Sequence, residues 1–169
     1  MNEVFSFLSE SGDEYRLSLT TSVGGELIAE DISESLLRDG IELVDVGLSR
    51  VKGSHITTFS ILQQIEQCIA NVFMQHPNAI ICFFCDFISL IPSMKRESMS
   101  VQEYRSRLFS KMFEQYLTHH HIEGIRNRVV EIEGVVETYY VHVIARNSHQ
   151  KYVDMISMGI QRDYGKPID

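Results

Sequence analysis

An α+β domain, a single mixed or mainly antiparallel sheet with helices packed on it, is what this sequence predicts. Three observations carry that reading. The run Ala79-Ile80-Ile81-Cys82-Phe83-Phe84-Cys85 holds no polar side chain between Pro77-Asn78 and Asp86, and reads as a central strand buried on both faces. Apolar residues recur at three- and four-residue spacing across Thr57 to His76, the stripe of an amphipathic helix. Several strand-like segments follow one another directly, which favours antiparallel pairs with helices on one face over a doubly wound sheet. The predicted order is β-β-β-α-β-α-β-β-α within one domain, residues 1–169.

Each element has its own warrant. Val4 to Leu8 and Tyr15 to Thr21 are short strands joined by the turn residues Ser11-Gly12-Asp13. In the second, Tyr15, Leu17 and Leu19 alternate with Arg16, Ser18 and Thr20, so one face is buried and the other wet. Ser22 to Asp31, with Gly24-Gly25, reads as a loop. Ser33 to Arg38 suits one or two helical turns closed by Asp39-Gly40, and Ile41 to Leu48 a third strand. On the first long helix Phe59, Leu62, Ile65, Ile69, Val72 and Phe73 form the apolar stripe, and Gln63, Gln64, Glu66 and Gln67 the polar side. Pro77 ends it.

After the buried strand, residues 87–99 form an inserted loop. Ser100 then caps a helix, with Glu103 placed to reach back and Met99 and Tyr104 at staple positions. Leu108, Phe109, Met112, Phe113 and Tyr116 give that helix a broad apolar face to about His119. Arg128 to Glu133 and Val135 to Ala145 read as a hairpin turning at Glu133-Gly134. Ser148 opens a last helix to about Arg162, with Tyr152, Val153, Ile156 and Ile160 inward. Residues 164–169 read as a loose tail.

Composition narrows the function classes. The formal charge is −8, which opposes general affinity for nucleic-acid phosphates and suits capture of a basic partner. No stretch approaches the roughly 18 apolar residues of a membrane span. The amino-terminal residues carry no basic, apolar leader pattern, and three cysteines cannot all pair internally, so a cytoplasmic, reduced setting is expected.

The motifs point to no reaction. Cys82-x-x-Cys85 spans a strand, where residues three apart face opposite ways, so the two sulfurs cannot share a metal. The adjacent His119-His120-His121 fan out around a helix end and make no ligand face. No metal and no cofactor is predicted. Surface acids, Asp31, Glu34, Asp39, Glu131, Glu133 and Glu137, read as solvating. No Walker loop, dinucleotide fingerprint, nucleophile elbow or His-Glu-x-x-His occurs. What remains is a corner: Asp86 leaves the buried strand, and Tyr104, Arg105 and Arg107 lie on the helix that returns across the sheet. It reads as a structural ion pair between Asp86 and Arg105, or as a binding site for a phosphate- or carboxylate-bearing small molecule.

With Cys85-Asp86 followed by Arg105-x-x-x-Phe109, the chain resembles a family of small uncharacterised bacterial proteins. That family has an amino-terminal hairpin, a helix, a strand ending Cys-Asp and a helix patterned Arg-x-x-x-Phe. The resemblance implies the same fold and brings no assigned activity. The expected function is therefore a non-enzymatic cytoplasmic interaction module, an antitoxin- or immunity-like binder of a basic protein. The apolar residues Phe87, Ile88, Leu90 and Ile91 are its candidate interaction surface. A homo-oligomer through a sheet edge, or through the broad aromatic face of the helix from Ser100 to His119, is the further partner expectation, and no membrane is expected. An enzyme or ligand-binding domain at the Asp86–Arg105 corner is the alternative.

Overall fold

Alternation lays down the first hairpin. In β1 (Asn2–Leu8) Phe5 and Phe7 turn toward a helix, and in β2 (Glu14–Thr21) Tyr15, Leu17 and Leu19 are buried on the same side. The structure, a computed structural model, describes residues 1–22, 28–84, 99–134 and 136–164. Beyond the hairpin come α1 (Glu30–Arg38), β3 (Glu42–Lys52), α2 (Phe59–Gln75) and β4 (Ala79–Phe84). Then follow α3 (Val101–His119), β5 (Ile125–Glu133), β6 (Thr138–Arg146), a 3-10 turn (Asn147–His149) and α4 (Gln150–Tyr164).

The fold is α+β, a six-stranded mixed sheet in the order β1-β2-β3-β4-β6-β5. Only β3 and β4 run parallel, joined by the α2 crossover; the other neighbours are antiparallel. The two strands flanking β4 explain why it reads as an unbroken apolar run. Val44 and Ile81 face one way with Ile144, while Leu43, Ile80 and Cys82 face the other with Val143. Cys82 is a buried apolar thiol, pushed well above its ordinary range by burial and by the neighbouring Asp45 carboxylate.

The helices cover both faces of the sheet rather than one. α2 and α3 pack over Leu17, Leu19, Val44, Ile81 and Phe83, while α1 and α4 pack over Leu43, Ile80, Val130, Val141 and Val143. The expected turns over Ser33–Arg38 are the later part of α1, which begins three residues earlier at Glu30 and whose Ile32 and Leu36 fill the second layer against α4. With a helix before β3 as well as after it, each face receives two. Tyr164 is still helical at the end of α4.

Two contacts tie distant parts together. The Met1 ammonium pairs with Glu42 at 2.7 Å, fastening the start of β1 to β3. The Arg146 guanidinium at the end of β6 donates to the carbonyl oxygens of Phe73, His76 and Pro77 and lies 4.2 Å over the Phe73 ring. It thereby adds a second donor at the Phe73 and His76 carbonyls, which already accept from the His76 and Ala79 amides, and reaches Pro77 just beyond α2.

Candidate functional site

α3 carries most of the chemistry that the sequence singled out, and its first turns sort the side chains. Ser100 accepts a hydrogen bond from the Glu103 amide at 3.1 Å, the expected cap. The Glu103 carboxylate, however, pairs with Arg107 at 2.7 Å, one turn on along the surface. Arg105 and Arg107 stand about 200° apart around the helix. Arg105 is buried and Arg107 is exposed, so the two guanidinium groups do not converge. Tyr104 is half-buried between them. Asp86, Phe87, Ile88, Leu90 and Ile91 lie outside the described residues, as does Cys85.

Beside Arg105, α3 turns Ser106 into the protein, and there it meets a residue that periodicity did not mark. Ser106 Oγ lies 3.0 Å from His142 Nε2, and His142 Nδ1 lies 3.1 Å from Asn127 Oδ1. The Asn127 amide donates in turn to Ser110 Oγ at 3.4 Å. An amide oxygen only accepts, so Nδ1 carries the proton, Nε2 is the acceptor, and Ser106 donates to it. Burial holds the imidazole down to about 4, leaving it neutral.

The order Ser–His–Asn is that of a nucleophilic triad, but its setting is a core. His142 has no exposed surface. Phe83, its cross-strand partner, stacks on the ring at 4.8 Å and Phe109 closes edge-on at 4.9 Å. Ser106 is itself buried, so the whole network lies within the core. The network pins α3 to β6 and β5.

The accessible chemistry lies around α2, which is flanked by two grooves. One, about 610 Å³, runs between α2 and the edge strand β1, with Phe5, Phe7 and Val72 as floor and Gln63, Gln64, Gln67 and Asn71 as wall. Among the described residues, its only charged lining residue is Glu3. The other, about 820 Å³, separates α2 from α3 and contains Glu66, Lys111, Tyr116, His119 and His120. On the polar side of α2, Gln63, Gln64 and Gln67 are exposed, while Glu66 is half-buried. Burial raises the Glu66 carboxyl to about 7. Ile69, Ala70 and Phe73, three, four and seven residues further on, are the sequence signal that Glu66 stands at an apolar margin.

At the far end of the hairpin, Asp13 Oδ1 lies 3.0 Å from His55 Nδ1, and Thr57 Oγ1 receives Arg50 at 2.8 Å. The hydrogen bond from His55 lowers the Asp13 carboxyl. The pair orients an exposed imidazole, yet its polar neighbours serve the joint between β2, β3 and the start of α2. Among the described residues no three His, Cys, Asp or Glu side chains gather to hold a metal. No described helix is long and apolar enough to cross a membrane.

Comparisons with protein-family models, with curated proteins and with solved structures returned no match.

Proposed function

We propose that this protein is a non-enzymatic interaction module that takes an extended, basic segment of a protein partner onto the outer edge of β1. One observation carries the reading: the two edges of the sheet are guarded unequally. β5 presents Arg126, Arg128, Glu131 and Glu133 along its length, the charges that ordinarily discourage strand addition. β1, equally terminal among the described residues, is Asn-Glu-Val-Phe-Ser-Phe-Leu, without lysine, arginine or proline. Val4 and Leu8 are exposed on one face, and Phe5 and Phe7 look into the α2 groove on the other.

An added strand would hydrogen-bond to the β1 backbone and set alternate side chains into that groove. Charge selects the occupant. Glu3 is the groove's one charged residue among those described, Glu10 and Glu14 stand near the turn, and the chain's excess is −8, so lysine or arginine on the incoming strand is favoured. A second copy would add another −8. The reading keeps the antitoxin- or immunity-like role and the cytoplasmic setting expected from the sequence.

The test is titration of ¹⁵N-labelled protein with a synthetic strand of alternating lysine and valine, against its glutamate–valine counterpart. Saturable shifts confined to β1 and the facing side of α2, for the basic peptide alone and lost in Val4→Lys, support the reading. Equal binding of both peptides, or a stable dimer whose β1 amides are protected without any peptide, sinks it.

A further inference from the structure

We propose that the groove between α2 and α3 is a binding site for an amphipathic organic monocation, a primary ammonium on an apolar body. The inference stands apart from the β1 reading and uses other side chains. Its geometry is a wide polar groove with a small apolar slot opening beside it. The slot, about 50 Å³, is walled by Ile69, Phe73, Ile81, Phe113 and Leu117, and its lining is almost entirely apolar. Groove and slot share two residues, Glu66 and Tyr116. A carboxylate and a phenol ring thus stand where a polar head would emerge from an apolar recess.

Three features select a cation over a neutral or anionic ligand. Glu66 has no ion pair or hydrogen bond among the described residues, and burial alone raises its carboxyl to about 7. A carboxylate in that position recovers the interaction it lost with water only when a positive charge or a donor arrives. Tyr116 lines both groove and slot with Glu66; its hydroxyl accepts from Gln67 at 2.9 Å and its ring packs against His120 at 4.3 Å, so the ring face away from His120 is the π surface for a cation. Lys111 lines the same groove but stands at no salt-bridge distance from Glu66, so Glu66 is not neutralised by a direct ion pair among the described residues. Glu114 adds a second acid from the α3 wall. The slot admits a short alkyl chain, and the groove's volume lies in the range of small-molecule sites.

The experiment is a titration of the ¹⁵N-labelled protein with n-hexylammonium, with n-hexanol and hexanoate as length-matched controls, repeated on Glu66→Gln and on Ala70→Leu, which narrows the slot. The expected result is saturable, millimolar binding of hexylammonium that shifts residues 66–70 and 113–117. Hexanol should bind about tenfold more weakly and hexanoate not at all. Glu66→Gln, which keeps the shape and removes the charge, should lower hexylammonium affinity about tenfold while melting no lower than the parent. Ala70→Leu should weaken both ligands. Equal affinity for hexylammonium and hexanol, no effect of Glu66→Gln, or no saturation at all would overturn the assignment.

Discussion

His142 and Phe83 face each other across β6 and β4, with rings stacked 4.8 Å apart and inclined by only 7°. The stack seals a neutral imidazole whose two nitrogens are both satisfied, by Ser106 and by Asn127. Polar specification has been placed at the centre of the sheet, and the chain's behaviour with acid and with substitution follows from it.

The first consequence is acid sensitivity. His142 titrates at about 4 in the fold against 6.5 ordinarily, because burial disfavours its charged form. Between those values the unfolded chain takes up a proton that the native state refuses. The contribution is complete above pH 6.5 and drains away as pH falls toward 4, to a total of about 3 kcal/mol. Urea midpoints from about pH 7.5 to about pH 4.5 should fall more steeply for the parent than for His142→Gln. Parallel curves would mean that the imidazole is not held neutral.

Ser106→Ala removes the hydrogen that Ser106 directs at Nε2, leaving that buried acceptor without a donor among the described residues. The expected loss is about 1–3 kcal/mol, read as a shift in urea midpoint at constant m-value. Ser106→Cys, a poorer donor of similar size, should fall between the two. A loss near zero for Ser106→Ala would show that water enters beside His142.

The register of α2 offers a sharper test. Periodicity places Phe59 on the apolar stripe and passes over Ile61, whereas Ile61 is buried and Phe59 is 53% exposed. Ile61→Ala should cost about 2–5 kcal/mol and Phe59→Ala well under 1 kcal/mol. Comparable losses would place the helix in the rotation that the sequence suggests.

That case shows where legibility ended. Ile65, Val72 and Phe73 recur so strongly that helix and inward face were readable, but an aromatic at the first turn competes with an isoleucine two residues on, and only packing against Tyr15 and Leu17 decides. The β4 run, the β1–β2 hairpin and the Ser100 cap were equally readable because each is a local pattern. The second helical layer was not. α1 is short, and its Ile32 and Leu36 acquire meaning only against α4, far along the chain. Polar groups in the core escaped for a related reason: Ser106, Asn127 and His142 lie on three elements and become a network only once α3, β5 and β6 meet. An isolated histidine between Val141 and Val143 was the one available hint.

Two glycines separate backbone strain from steric conflict. Gly12 and Gly53 both hold φ in the left-handed region, at +83° and +97°. Open space surrounds the missing Cβ of Gly12, so Gly12→Ala should cost only the conformational term, about 1–2 kcal/mol. At Gly53 the same carbon would fall 1.6 Å from Asp13 Oδ1, forcing the carboxylate off His55. Gly53→Ala should lower Tm clearly more than Gly12→Ala. A comparable pair of melts would show that Asp13 moves aside freely.

Arg146 gives the molecule a direction in time. The carbonyl groups of Phe73, His76 and Pro77 wait for a guanidinium made about seventy residues later on the ribosome. Until β6 emerges, the carbonyl groups of Phe73 and His76 have only the local amides of His76 and Ala79, and nothing ties the end of α2 to the far side of the sheet. Completion of β6 therefore works as a latch: the early half of the polypeptide reaches its final form only when the late half arrives to close it.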